Sequence, residues 1–427
     1  PESLASDPIL PSPQTTGLQG LQWLAGGFLL TFTSAFGQTF FIAIFAGDLK
    51  GEFGLSDGAF GTLYMLATLA SAAVLMGIGR VADRRDLRWV SVCVLGGLAL
   101  AAGGMASVTS AWMLLPALFG LRLCGQGLPG HIALTAMARW FATNRGRAIA
   151  VAAMGFPVSQ AALPILAIAL TASFGWRSAW WLSAAAVILI PVPLILFLFR
   201  NEPAEPEREP TRGAGPALAP SRHQWTRAEV LRDPVFYILL PGVLTSPFVV
   251  TGIFFHQVTI VRAKGWDLTW FVGWYAGNAL ATVIATFATG WAIDRFGATR
   301  VLPVFLVPLV IGVAVLAASD DPYAAPAFML LSGLSLGSAS TVLGAIWAEL
   351  YGTRHLGSIR SLASSGGVLA SALAPGLMGY LLDAGVPVTR QIGWLAAYAL
   401  LSSCLLIAVA PRLSARADAL HEPMGSR

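Results

Sequence analysis

The chain has 427 residues, 56% of them hydrophobic and only 11% charged, with a formal net charge of +5 and a mean hydropathy of +0.71. So little polar surface could not cover a soluble globule of this size, whereas lipid makes no such demand, so the composition excludes a soluble enzyme or scaffold. The apolar stretches run to about 20 residues, the length of a helix crossing the hydrocarbon core, which selects helical spans over barrel strands.

In chain order, a short polar tail over 1–20 lacks the basic region and cleavage site of a signal peptide. Apolar runs then predict spans at 23–46, 58–81, 89–107, 111–138, 147–172 and 178–199. Residues 200–233 are rich in Pro, Glu and Arg and too polar for lipid, which predicts a linker. A second set follows at 234–261, 270–293, 301–318, 323–349, 357–383 and 392–411, with a polar tail over 412–427. The expected fold is an all-α integral membrane protein, twelve transmembrane helices in two pseudo-symmetric six-helix bundles at 21–199 and 234–411.

The halves repeat. Gly79-Arg-Val-Ala-Asp83-Arg84 after the second span returns 211 positions later as Gly290-Trp-Ala-Ile-Asp294-Arg295, and the same offset carries Gly155 onto Gly366 and Pro164 onto Pro375. Such a duplication, with both charged loops on one side of the membrane, is the sequence form of two parallel-related bundles. Twenty of the 26 basic residues fall on the side of those loops, the linker and both termini. By the positive-inside rule that side is cytoplasmic, in the plasma (inner) membrane of what the Ala, Gly and Arg bias suggests is a bacterium. The net charge therefore describes topology, not nucleic-acid binding. Cys93, Cys124 and Cys404 lie inside spans, forming neither a disulfide framework nor a metal-ligand spacing.

The G-x-x-x-D-R pattern between spans 2 and 3, its echo between spans 8 and 9, twelve spans and a polar central linker resemble the major facilitator superfamily over essentially the whole chain. The first copy has Asp86 where the family has glycine, while the second keeps Gly297. A narrower likeness in 35–56, 139–166 and 174–181 is to the bacterial branch of monocarboxylate and oxalate/formate transporters, with a looser one to a copper-importing branch. That branch has a functional arginine in span 8, where this chain has none before Arg295. The resemblance implies a latch: Asp83 with Arg84 facing the start of span 11, and Asp294 with Arg295 facing the start of span 5 near Arg145 and Arg147. Such contacts close the cytoplasmic side in one state and break in the other. The alternative is topogenic charge alone, although positive-inside ignores aspartate.

Within the spans, Arg122 is exceptional. It lies about eleven residues into span 4, near mid-depth at about 1.5 Å per residue, where burial costs at least about 2.5 kcal/mol, so it is expected to face the central cavity and meet an anion, a carbonyl array or a carboxylate. No acidic residue lies deep in any span, which points to an anionic substrate. The competing reading is an arginine bonded to backbone and serving packing or proton coupling. Gln38, Gln160, Tyr275 and Asn278 near mid-depth, with His256 in the outer part of span 7, extend the expected substrate site. His131, nine residues past Arg122 and expected on a similar face, His256 and Arg122 are the candidates for carrying a coupling proton.

Other motifs weigh less. GQGLPG (125–130) follows no strand, so small residues allowing close helix approach are the better account. GLSLG (333–337) raises an intramembrane serine protease with Ser335 as nucleophile and His256 as base, which leaves the two-half repeat unexplained. Met and His are not paired at helical spacing as a copper carrier would want. The expected function is secondary active transport, not enzymatic, moving a small organic solute of monocarboxylate type by alternating access with a proton or counter-anion, as a monomer in the lipid bilayer and without cofactor or metal. A copper or neutral-solute importer is the alternative.

Overall fold

A computed structural model describes residues 17–82, 86–141, 145–201 and 224–421. The first tail up to 16, most of the linker, the last six residues and the latch pair Asp83 and Arg84 lie outside the described residues. Eleven helices are long and apolar enough to cross a membrane, and a bent pair brings the spans to twelve. No strand occurs among the described residues.

The first span, α1, is the bent pair Leu18–Gly37 and Thr39–Phe53, with 44° between its parts. The first half continues with α2 (Asp57–Gly77), α3 (Leu87–Ala106), α4 (Ala111–Trp140), α5 (Arg145–Phe174) and α6 (Trp176–Leu198). The second half holds α7 (Pro234–Phe255), α8 (Leu268–Phe296), α9 (Ala298–Ala318), α10 (Ala324–Tyr351), α11 (Leu356–Asp383) and α12 (Val388–Ala417). The sequence predicted one uninterrupted span each for α1 and α7. Instead α1 turns at Gln38, whose backbone is extended (φ −82°, ψ 152°), and α7 stops at His256 before a short helix, Gln257–Lys264. The last helix runs on to His421, past the predicted end of the span at 411.

The repeat is visible in the backbone. Each half ends its first span with an eight-residue helix, Ala46–Phe53 or Gln257–Lys264, closed by a left-handed glycine, Gly54 (φ 60°) or Gly265 (φ 68°). The bond that completes this cap also repeats at the offset of 211: Leu55 N–H to Lys50 O at 3.0 Å, and Trp266 N–H to Val261 O at 2.9 Å. A left-handed position after a helix is one that only glycine fills without strain, and the paired bond satisfies carbonyls that the helix end leaves free.

The halves meet along α2 with α11, α5 with α8, and the bend of α1 with α7. At the linker end of α7, Asp233 caps the helix through the Val235 N–H at 3.2 Å and pairs with Arg416 of α12 at 2.7 Å. Burial would raise the Asp233 carboxyl, but the bonds from Arg416 and Val235 outweigh it and hold it below its ordinary value.

Candidate functional site

A cavity of about 520 Å³ lies between the halves. It begins at the bend of α1, where the extended turn at Gln38 sets Gln38, Thr39 and Phe40 against it, and α4 adds Gln126. From α5 come Ala150, Ala153, Met154, Phe156, Pro157 and Gln160, a single helical face by their spacing. The second half supplies Val250, Thr251 and Phe254 from α7, Thr282, Val283, Thr286 and Phe287 from α8, and Leu336 and Ser340 from α10. The wall is thus made of phenyl rings, amides and hydroxyls, and none of these residues carries a charge. The lining of α5 and α8 belongs to their linker-side halves, that of α10 to its middle and that of α7 to its outer end, and a neighbouring cavity that shares Leu336 and Ser340 continues to Arg360 near the linker-side end of α11, so the space runs from mid-membrane toward the linker side.

The opposite side is closed. There Asp383, at the end of α11, accepts from Ser56 Oγ at 2.6 Å and from the Gly58 N–H at 3.0 Å, while Thr62 donates to Tyr380 Oη at 2.9 Å. Asp57 accepts from Lys50 at 2.6 Å and from Thr259 beyond α7 at 3.2 Å. Gln257 donates through Nε2 to the Phe40 carbonyl at 3.0 Å and accepts through Oε1 from Tyr275 Oη at 2.8 Å. At the floor of the cavity Gln160 Nε2 reaches Asn278 Oδ1 at 3.4 Å, joining α5 to α8. Asn278 is fixed by donating to the Met329 carbonyl at 2.8 Å and Ser332 Oγ at 2.9 Å.

The residues singled out in the sequence therefore separate. Gln38 and Gln160 line the cavity. Asn278 lies directly behind Gln160, and Tyr275 is fully buried against Phe40 and Phe254, their ring centroids 5.6 and 4.9 Å from its own. His256, 2% exposed, belongs to the closed side, with Nε2 3.1 Å from the Pro375 carbonyl. Arg122, also 2% exposed, is not in the cavity wall. It lies between α1, α2 and α4, donating to Gly37 O and Thr68 Oγ1, both at 3.1 Å, with the guanidinium 4.9 Å from the centre of the Tyr64 ring. It sits in a π-helical turn, Leu121–Gly127, onto which α1 packs so closely at Gly37 that an added Cβ would overlap the Leu121 carbonyl. A backbone carbonyl, a hydroxyl and an aromatic face offset its desolvation.

His131 is exposed while Arg122 is buried, so the two do not share a face; nine residues at about 100° each are two and a half turns. Of the latch residues that are described, Arg145 is half-buried and Arg147, Asp294 and Arg295 are exposed. Among the described residues, no ion pair joins Asp294 to Arg145 or Arg147 in this linker-side-open form. The two positions related by the repeat, 86 and 297, differ in backbone. Gly297 has φ 85° and ψ 155°, whereas Asp86 sits at φ −56° and caps α3 through the Arg88 N–H. Ser335 donates to the Phe305 carbonyl at 2.8 Å and His256 is held by Pro375, so no nucleophile–base pair forms. No group of three or more potential metal ligands occurs among the described residues.

Sequence reasoning missed the hydroxyl and ring components of the wall. A signal existed, since Asn278, Thr282 and Thr286 recur every four residues on one face of α8. It also missed Asp57, Lys50 and Thr259 as a cluster, because what joins them is the closure of one half on the other.

The sequence model described as Major Facilitator Superfamily matches residues 27–277 and 270–424. The chain is 24% identical over 357 residues to the 4-hydroxybenzoate transporter PcaK of Pseudomonas aeruginosa, covering 77% of this chain and 78% of that one. It is 26% identical over 399 residues to the putative niacin/nicotinamide transporter NiaP of Bacillus subtilis, covering 92% and 93%. Among solved structures, its fold is similar to that of a bacterial homolog of the human lysosomal transporter Spinster in an inward-facing, unoccupied conformation, with TM-score 0.66, 16% identity and coverage of 95% and 98%. It is likewise similar to the nucleoside transporter NupG, with TM-score 0.64, 13% identity and coverage of 93% and 99%.

Proposed function

Because this chain belongs to the Major Facilitator Superfamily and is a multi-pass membrane transporter of small organic solutes, we propose that its cargo is a small planar aromatic compound bearing one carboxyl or carboxamide group. The observation that carries the reading is the cavity wall, which combines Phe40, Phe156, Phe254 and Phe287 with three glutamine amides and no charge. Rings of this kind favour an aromatic body by stacking or edge contact, and the amides match a single polar substituent. The names of the similar transporters, for 4-hydroxybenzoate and for niacin or nicotinamide, point the same way. The expected monocarboxylate is narrowed to an aromatic one. Arg122 is replaced as the substrate anchor by Gln38 and Gln160, with Asn278 setting the orientation of Gln160. On the linker side Arg360 borders a continuation of the cavity that shares Leu336 and Ser340 with it, a place for a carboxylate to pass in its ionised form.

Transport proceeds by rocking of the halves about this cavity. With the linker side taken as cytoplasmic from its excess of arginines, the structure corresponds to the cytoplasm-open state. The latch of Asp83 and Arg84 with α11, and of Asp294 and Arg295 with the start of α5, belongs to the opposite state.

Thermal unfolding of the purified protein with nicotinamide, nicotinate, 4-hydroxybenzoate and lactate tests the reading. An aromatic solute at about a hundred times its Kd adds about 2.7 kcal/mol to the folded state, and Gln160→Leu should remove most of the shift. Stabilisation by lactate and by none of the aromatics would reject it.

A further inference from the structure

His256 breaks α7 on the closed side, with its side chain 1% exposed. Its Nε2 lies 3.1 Å from the Pro375 carbonyl of α11. A carbonyl only accepts, so Nε2 carries the hydrogen. In the neutral ring Nδ1 then presents a lone pair toward Asp57 Oδ1 of α2, 3.7 Å away. A carboxylate facing an acceptor is unfavourable, and one proton on Nδ1 turns the same geometry into a charge pair.

The surrounding charges give that proton further weight. From α1, Lys50 lies 2.6 Å from Asp57. From α11, Asp383 accepts from Ser56 and Gly58. Two carboxylates against one ammonium leave the cluster one negative charge in excess until His256 is protonated. The more distant charges are offset among themselves: Glu52 by Arg177 at 2.5 Å, Lys264 by Asp320 at 2.9 Å, and Asp48 by Arg262. Asp57 belongs to the first half and His256 to the second, so the pair acts between the halves.

We propose that His256 is a proton-binding site of the outer gate, its imidazolium tying α7 and α11 to α2 when the gate is shut. The ring is wet only when the halves part, so the proton enters from the outer side. The contact between the imidazolium and Asp57 exists only in the shut gate, so a lower outer pH favours closure. When the halves part again the proton returns to the outer solution, and a neutral ring facing Asp57 disfavours reclosure. This inference rests on the alternating-access reading above.

The test places spin labels at Gly51→Cys and Ala384→Cys, both exposed and on opposite halves, with the three native cysteines replaced, and reads the distance between them from pH 8 to 5. The closed-to-open ratio should rise, by up to about tenfold per pH unit in the range where histidine titrates. His256→Gln keeps an amide able to donate to Pro375 O and should lose the pH response; Asp57→Asn should lose it with His256 in place. A wild-type response retained in His256→Gln overturns the proposal. So does a label distance that answers to an aromatic solute but not to pH, which leaves alternating access standing. One fixed distance under every condition overturns both.

Discussion

Arg122 illustrates how little a residue's chemistry says about which way it faces. Its depth and its need for a partner were legible in the sequence, but its partners are a carbonyl at the bend of α1, a hydroxyl on α2 and a ring face, none of which sequence spacing can align. The geometry predicts a stability phenotype. Arg122→Ala leaves the Gly37 carbonyl and Thr68 hydroxyl without their donor, at about 1–3 kcal/mol each, so its melting temperature should fall by several degrees. Affinity for a solute that stabilises the wild type should stay within about twofold, because the cavity wall is untouched. A variant that melts like wild type but no longer binds would return Arg122 to the substrate site. Gln160 behaves oppositely: it was readable as a polar residue at mid-depth, and it does reach the cavity, yet its hold on Asn278 depends on α5 meeting α8.

Among the elements, the spans were legible because hydrocarbon demands a run of apolar residues of fixed length. The breaks at Gln38 and His256 were not, since no proline lies within four residues of either; the π-turn in α4 had a local signal in Pro129, which cannot donate to the Gly125 carbonyl, but a proline does not say which kind of break it makes. The two turns after α2 and α8 make a direct comparison of local rules. Gly297 adopts φ 85° with ψ 155°, a region closed to other residues, so Gly297→Ala should cost about 1–3 kcal/mol. Asp86 already sits at negative φ, and Asp86→Gly should cost only a few tenths of a kcal/mol, the price of a cap exchanged for glycine. Denaturant or thermal melts of the two variants should differ accordingly; equal losses would mean that the turns matter for some other reason. At the far end of the chain, the Asp233–Arg416 tie makes a pH statement. The Asp233 carboxyl is held below its ordinary value in the folded protein, so its stabilisation is present above the ordinary carboxylate range and fades as pH falls through the lowered value. Asp233→Asn should flatten the acid limb of the stability profile, with wild type and variant converging at low pH.

The whole molecule adds what no single helix contains: one side shut, the other open, and charges that behave differently in the two. On the closed side the carboxylates Asp57 and Asp383 bridge the halves. On the open side Asp294 and Arg147 are exposed and, among the described residues, joined by no ion pair, and the latch we propose for them belongs to the state in which that side closes. Removing it should therefore favour the form described here. Asp294→Asn should increase the labelling of a cysteine placed at Ala153, in the cavity wall, by an impermeant reagent supplied from the linker side. His256→Gln should decrease it at low pH by weakening the opposite gate. The two sites lie on opposite sides of the membrane and share no partner, so their effects on the open–closed equilibrium should add in the double variant within about 0.5 kcal/mol. Rates near wild type in the double variant would show both charges acting on one rocking motion. Labelling unchanged by Asp294→Asn would leave its aspartate without a role in closure, and the repeated Asp-Arg pair would then mark only which side of the bilayer it was made to face.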